Sequence, residues 1–332
     1  MTVKAAFFNN RTDTKSRLYE VYGKGRMEQV RERVECYPEI VSEADFDDHV
    51  DHLQDLEVVF STWGMPKLTA THLDRLPSLK AVFYAAGSVK GFARPFLERD
   101  IRVVSAWAAN AIPVAEFALA QNLLSCKGYF RNVREARLSD GRSHRGPGVF
   151  GESVALIGAG QIGRHLIGLL KRFELDILVV DPYLSAVDAD ALGVEVVSLQ
   201  EAFQRALVVS NHLPNLPALE GVLNEPLFAS MREGATFINT GRGAQIDEAA
   251  LIDTLTARPD LTALLDVTHP EPAPVDSPLR QLPNVRISTH IAGSIHDEVV
   301  RMADYMIEEF CRWQAGEPLR YAVTLDMLES MA

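Results

Sequence analysis

Short apolar runs rich in Val, Ile, Leu and Phe recur along the chain, and stretches with apolar positions every three or four residues lie between them. The runs read as buried strands and the stretches as amphipathic helices, a pattern that predicts an α/β protein with parallel sheets. In the first part the expected strands are VKAAFF (3–8), EVVFS (57–61), LKAVFY (79–84) and IRVVSA (101–106). SEADFDDHVDHL and LTATHLDRL are helical stretches between them. Pro113 then opens PVAEFALAQNLLSCKGYF, read as a helix with proline in its first turn and apolar residues on most faces. That helix begins a second, more buried domain. SDGRSHRGPGVFGE (139–152) carries neither period and reads as a loop.

From residue 153 the alternation tightens through SVALIG, DILVVD, VEVVS, ALVVSNH, ATFIN, TALLDV and VRIST, all strand-like. Ser198 and Glu201 have the spacing of a capping box before a short helix. Ser294 and Asp297 repeat that spacing at the head of a long final helix. Its apolar positions Val299, Met302, Met306, Phe310 and Trp313 follow the helical period, and Gly316 ends it. The tail GEPLRYAVTLDML is too short to fold alone and is expected to pack back on the first domain. The predicted organisation is a doubly wound domain (109–297) inserted into a smaller α/β domain (1–108 with 298–332).

A length of 332 residues exceeds the usual size of one core and independently favours two domains. The formal charge of −12 argues against nucleic acid or an anionic membrane as partner, although one basic cleft can still hold a small anion. Cys36, Cys126 and Cys311 are far apart with no metal-binding spacing, which suits a reducing cytosol and no structural metal. The apolar run in MTVKAAFFNNRTD is too short for a signal peptide, and no stretch approaches a membrane span. The cytoplasm is the expected location.

VALIGAGQIGRHL reads as a strand, a glycine-rich turn and a helix with Ile162, Leu166, Leu169 and Leu170 on one face. Gly158 would make the tight turn, Gly160 would let a pyrophosphate approach the backbone, and Gly163 would let helix pack on strand. Gln161 and Ile162 open the helix, whose free N–H groups favour phosphate. Three such glycines alone are weak evidence. Here a further strand, DILVV, ends in Asp181, eighteen residues after Gly163. A carboxylate at that spacing suits the hydroxyls of an adenosine ribose and repels a 2′-phosphate, so NAD (NADH) is expected in preference to NADP. The plainer alternative is a turn aspartate before Pro182.

Three more segments end strands of the same sheet, where ligands bind in open α/β folds. ATFINTGRGAQIDE places Arg242 between two glycines, TALLDVTHPEPAP ends its strand at Asp266 with Glu271 beyond, and VRISTHIAGS carries His290. Singly these are an exposed turn arginine, a solvated glutamate and a core histidine. Together they supply what hydride transfer to a carbonyl needs. An imidazolium gives the developing alkoxide a proton, and a guanidinium fork holds a neighbouring carboxylate. A carboxylate beside the imidazole orients it and favours its protonated form.

With these residues the chain resembles the D-isomer-specific 2-hydroxyacid dehydrogenases, in which IGAGQIGR, VVDPY, SNHLP, INTGRG, LDVTHPEP, THIAG and GEPL occur in the same order. The resemblance covers nearly the whole chain. It implies a Rossmann-type doubly wound domain inserted into a flavodoxin-like substrate domain. It implies Arg242 as the residue that binds and polarises a 2-oxo acid, Glu271 as the partner of His290, and His290 as general acid in reduction and base in oxidation. Leu213, Pro214, Thr240, Gly241 and Asp266 would line the nicotinamide end, with Ala292 and Gly293 following the histidine, and Asp266 would bind the carboxamide unless it merely caps a loop. His212 is read as structural or close to the cofactor. A homodimer built through the helix from 113 and the loop after it is also implied.

The chain departs from the family pattern in its substrate loop. Ala86 and Ser88 in YAAGSVKGF stand where glycines are usual, and Lys90-Gly91 replaces Asp-Asn. The backbone grip on a substrate carboxylate is expected at Ala86, Gly87 and Ser88. Lys90 is either a solvated lysine or a contact for a second anionic group. Thr289 replaces a common proline, and the threonines usual near NHLPNLPALEG are absent. Trp63, Tyr84 and Trp107 lie near strand ends, as core or as walls of an apolar side-chain pocket. The leading expectation is an NAD-dependent enzyme interconverting a small 2-oxo acid and its D-2-hydroxy acid. The alternatives are an NAD-sensing corepressor-like protein and a family enzyme acting on formate or phosphite.

Overall fold

The computed structural model describes residues 2–136 and 144–330. It divides into two compact units, Met1–Asn110 with Ser294–Ala332, and Ala111–Gly293. The second unit is therefore shorter at both ends than the 109–297 span expected from sequence. Its first edge falls inside the helix Trp107–Cys126, which starts six residues before Pro113. Pro113 is thus interior to that helix and not its opening residue. The alanine-rich turn ahead of it is helical in its own right. At the other edge, Ser294 N donates to Asn110 Oδ1 at 3.0 Å, which keeps Ser294 with the first unit. Residues 139–143 of the glycine-rich loop lie outside the described residues.

The first unit is a sheet of β1 (Lys4–Phe8), β2 (Glu35–Val41), β3 (Val58–Ser61), β4 (Ala81–Tyr84) and β5 (Arg102–Ser105) in the order β2-β1-β3-β4-β5, all parallel. That is the flavodoxin-like order. Phe7, Phe60 and Phe83 lie side by side on three adjacent strands. Phe310 of the long helix Val300–Gln314 sits edge-on to Phe60 and Phe83, with ring centroids 5.3 and 5.6 Å away. On that helix Met302, Met306 and Phe310 are buried, as is Val299 just before it, as their spacing predicts, and Trp313 packs at the margin. The tail returns as expected. Ala322–Val323 pairs antiparallel with β5, and the buried Glu309 accepts the N–H groups of Arg320 and Tyr321 at 2.9 and 3.2 Å.

The head of the long helix differs from expectation. A short 3-10 turn, His296–Val299, leads in, and Glu298 Oε2 accepts Ile295 N–H at 3.1 Å. Asp297 instead pairs with Lys24 at 2.5 Å, and Ser294 Oγ is buried with no partner among the described residues. The cap is one residue later than the Ser294–Asp297 spacing suggests. At Ser198 the expected box is present: Ser198 Oγ accepts Glu201 N–H at 3.2 Å and Glu201 Oε2 accepts Ser198 N–H at 2.8 Å.

The second unit contains β6 (Glu152–Ile157), β7 (Leu175–Val180), β8 (Glu195–Val196), β9 (Val208–Asn211), β10 (Thr236–Asn239), β11 (Thr262–Leu265) and β12 (Val285–Ile287). Their order is β8-β7-β6-β9-β10-β11-β12, every pair parallel. The chain winds outward from β6 to β8, then returns to β9 on the other side. This is the Rossmann-type switch point, with its crevice at the carboxyl ends of β6 and β9. Ile157, Asn211, Asn239, Leu265 and Ile287 form one transverse row at that edge. The next residue of each strand, Gly158, His212, Thr240, Asp266 and Ser288, opens a loop. Every motif singled out in this half of the sequence begins at or just past that line.

Candidate active site and dinucleotide crevice

The three glycines after β6 differ in what surrounds them. Gly158 has φ +100°, and a Cβ there would lie 3.0 Å from the His212 carbonyl oxygen. Gly163, one turn into the helix Gln161–Leu170, faces back onto the turn, and a Cβ would overlap the Gly158 carbonyl. Gly160 has none of the described residues within 4 Å of the corresponding position. Two glycines are thus required by the protein's own packing, and the third leaves open space at a helix N-terminus, as a pyrophosphate requires. The buried face of the helix is Gly163, Leu166, Ile167 and Leu170, with Ile162 and Leu169 at its margins. Asp181 follows β7 and accepts Ala159 N–H at 2.7 Å and Tyr183 N–H at 2.8 Å. Its carboxylate therefore braces the glycine turn, and its remaining lone pairs can accept ribose hydroxyls.

The loops after β9 and β10 are fastened to each other. His212 is buried, its Nε2 2.9 Å from Ser210 Oγ and its Nδ1 2.9 Å from Thr240 Oγ1. Burial pushes its pKa down to about 4, so it is a neutral bridge that fixes Thr240. Asn211, Asn239 and Gln245 form an amide network beneath Leu213, Pro214, Gly241 and Arg242. Gly241 lies directly against it, since a Cβ there would be 2.6 Å from Gln245 Oε1. Sequence reading missed these three amides. No local spacing marks them, because they meet only across neighbouring strand ends.

Arg242 is half-buried, and its Nη1 donates to Gly241 O at 2.7 Å. Burial lowers its pKa below the usual guanidinium value, and the nearby Glu271 carboxylate acts in the opposite direction. Gly243 is packed so tightly that a Cβ would overlap the Thr268 carbonyl and lie 2.5 Å from His269 N. That contact seats the segment carrying Arg242 on the one carrying Glu271.

Asp266, at the end of β11, is buried and accepts three hydrogen bonds from the histidine segment. Oδ1 takes Ser288 Oγ at 2.6 Å and Ile291 N–H at 2.9 Å, and Oδ2 takes Ala292 N–H at 2.9 Å. His290 N donates to Asp266 O at 2.9 Å. The segment is bent so that His290 adopts φ +57°, a left-handed conformation uncommon for a side-chain-bearing residue. Its Nδ1 lies 2.6 Å from Glu271 Oε1. An ionised carboxylate only accepts, so Nδ1 carries the hydrogen of this bond. Both side chains keep more than a third of their surface exposed, leaving the Nε2 edge of the ring open to a ligand. Beside the pair is a cavity of about 510 Å³ whose walls include Thr268, Ala273, Arg280, Ile287 and Thr289.

The 86–88 segment belongs to the first unit, at the carboxyl end of β4. Ala86 O accepts Ser105 Oγ at 2.9 Å and Ala106 N–H at 3.0 Å, and Gly87 O accepts Ser105 Oγ at 2.5 Å. With those carbonyls turned inward, the N–H groups of Gly87 and Ser88 carry no hydrogen bond among the described residues, whereas Ala86, expected to share the grip, donates its N–H to Tyr84 O at 2.8 Å. Tyr84 is buried against Phe92, Trp107 packs on Tyr321, and Trp63 lies under the Arg17 guanidinium. None of the described helices is long and apolar enough to cross a membrane.

Residues 118–292 match the family model described as the NAD binding domain of D-isomer specific 2-hydroxyacid dehydrogenases. The D-3-phosphoglycerate dehydrogenase of Archaeoglobus fulgidus is 30% identical over 235 residues, or 70% of this chain and 44% of that protein. The chain thus matches less than half the length of that relative. A phosphoglycerate oxidoreductase from Rhizobium etli has the same fold, with a TM-score of 0.80 at 23% identity over 97% of this chain and 98% of that one. The apo D-mandelate dehydrogenase of Rhodotorula graminis gives 0.79 at 22% identity, with the same coverages. Sheet order, glycine turn and family match agree: this chain belongs to the D-isomer-specific 2-hydroxyacid dehydrogenase family, and its second unit is the family's NAD-binding domain.

Proposed function

We infer that the protein interconverts a small 2-oxo acid and its D-2-hydroxy acid with NAD(H). The observation that carries this reading is the 2.6 Å contact between Glu271 and His290 at the sheet edge that also bears the glycine turn and Arg242. Bound NADH supplies the hydride for the carbonyl carbon. His290 gives its Nε2 proton to the carbonyl oxygen, because Nδ1 is occupied by Glu271, and takes it back in the oxidation direction. Glu271 holds the ring in orientation and stabilises the imidazolium. Arg242 offers two parallel N–H groups to the substrate carboxylate and carbonyl, and its partial burial strengthens that contact. In the first unit, the N–H groups of Gly87 and Ser88 are donors available to a carboxylate.

Asp181 favours NAD over NADP, since a 2′-phosphate would meet its carboxylate. Asp266 is assigned first to holding the histidine segment, with the carboxamide taking what acceptor capacity remains. The exposed Leu124 and Tyr129 support a homodimer through the helix from 113, which sedimentation at micromolar concentration would test. The cysteine pattern suits a cytoplasmic enzyme. The direct test is a panel of 2-oxo acids assayed for NADH oxidation, beside the His290→Ala variant. Turnover should fall by about 10²–10⁴-fold in the variant while NADH affinity stays within a few-fold. Unchanged turnover in that variant removes His290 from the chemistry. NADH binding with no 2-oxo acid of the panel reduced would favour a sensor.

A further inference from the structure

Gln245 is buried, and all four hydrogen-bonding positions of its side-chain amide are used. Oε1 accepts Asn211 Nδ2 at 2.7 Å and Arg242 N–H at 3.0 Å. Nε2 donates to Pro214 O at 2.8 Å and Leu213 O at 3.1 Å. One side chain therefore joins the backbone of Arg242 to the backbone of the loop after β9. Its neighbours complete the clamp. Asn239 Nδ2 donates to Arg242 O at 3.1 Å, so both backbone polar groups of Arg242 are held by amides. Asn211 Nδ2 also donates to Asn239 Oδ1 at 2.9 Å, and Asn211 Oδ1 accepts Leu213 N–H at 3.2 Å.

We propose that Gln245 is a positioning residue that sets Arg242 and the Leu213–Pro214 wall as one rigid piece, so that substrate and nicotinamide are received in a fixed relation. It touches neither ligand and acts through the two loops. The proposal rests on the dehydrogenase reading for its substrate half only, because the Leu213–Pro214 half concerns dinucleotide binding alone. Gln245 carries this role rather than a general stabilising one because its four partners are divided between the two loops. A purely structural amide at this depth would serve a single turn. Asn284 is such a case: it is equally buried, with Nδ2 donating to Leu255 O at 2.9 Å and Arg258 O at 3.4 Å.

The experiment compares Gln245→Leu with Asn284→Ala in the full chain. Each is measured for melting temperature, NADH affinity by fluorescence titration, and KM and kcat with glyoxylate, pyruvate and phenylpyruvate. Both variants should melt lower. Only Gln245→Leu should raise KM about tenfold or more and weaken NADH several-fold, because two N–H groups, of Asn211 and Arg242, now lack an acceptor and two carbonyls lack a donor. NADH affinity and KM within twofold of wild type in Gln245→Leu, whatever its melting temperature, would overturn the proposal.

If that variant does not fold, Gln245→Glu replaces it. The carboxylate keeps the acceptor for Arg242 N–H but confronts two carbonyls, whereas its protonated form restores a donor to them. Its KM relative to wild type should fall as pH is lowered from 8 to 6, and a pH-independent ratio overturns the proposal. A wild-type protein that oxidises NADH with no substrate of the panel defeats the dehydrogenase reading, while the NADH titration still judges Gln245.

Discussion

Gly160, Gly163 and Gly168 lie in or next to one helix, and alanine at each should give a different result. At Gly163 the new methyl would sit 3.1 Å from the Gly158 carbonyl carbon and overlap its oxygen, both backbone atoms that cannot swing aside. Overpacking of this kind costs about 1–3 kcal/mol. For a unit of this size that is roughly 2–4 °C of melting temperature per kcal/mol, so a loss of about 2–12 °C is expected. The relief must come from the Gly158 turn, where the pyrophosphate is to bind. NADH affinity should therefore fall as well, by about 5- to 150-fold if the same 1–3 kcal/mol is lost from binding. At Gly160 none of the described residues lies within 4 Å, so alanine should leave the melting temperature within about a degree while still obstructing the dinucleotide. At Gly168, in the same helix and equally unobstructed, alanine should stabilise by about 0.4–1 kcal/mol and leave NADH binding alone. Thermal melts and NADH fluorescence titrations of the three variants decide the matter. Wild-type NADH affinity in Gly160→Ala would refute the assignment of that open space to the phosphates.

Three other outcomes follow from the geometry. Glu271→Gln keeps a partner for Nδ1 but removes the charge, so kcat should drop about 10-fold or more with NADH affinity unchanged, and equal kcat would sink the pairing role. Asp181→Ser should improve NADPH relative to NADH by tenfold or more, and should also weaken NADH because Ala159 N–H loses its acceptor; an unaltered preference ratio measured by titration counts against Asp181 as the selector. His212 has a folded-state pKa depressed to about 4, so between that value and its unfolded value near 6.5 the unfolded chain binds the extra proton. Stability should therefore decrease as pH falls through that window, by about 2 kcal/mol between pH 7 and 5. Urea titrations of wild type and His212→Gln should show this acid loss shrinking in the variant, and an identical slope in both would assign it elsewhere.

The parts of the fold set by local pattern are readable in the sequence. β6, the glycine turn and the helix after it form one continuous signature, and Arg242, Asp266 and His290 each follow a β-branched or apolar run closely enough to be placed at a strand end. What escaped lacked a local signal. β2 (Glu35–Val41) is an edge strand, largely exposed and interrupted by Pro38, so it has neither an apolar run nor a clean alternation. Ala322–Val323 is two residues long and exists because β5 offers it an edge. The long helix Val300–Gln314 has two adjacent acids able to cap it, and Lys24, distant in sequence, draws Asp297 away. Proline at 113 looked like a start because its ring fits a first turn, yet the alanines before it already favour helix. The amides at 211, 239 and 245 look like ordinary polarity until two strand ends and the turn after Arg242 bring them together.

The left-handed backbone at His290 limits what can replace it. An imidazole tolerates this conformation, asparagine and glycine tolerate it better, and a β-branched or bulky aliphatic residue pays a steric penalty on top of losing the proton. A saturation library at this position would therefore separate into two groups. Asn and Gly variants should fold soundly without turnover and serve as trapping forms for crystallising the ternary assembly. Val and Ile variants should express poorly, for a reason unrelated to acid–base chemistry.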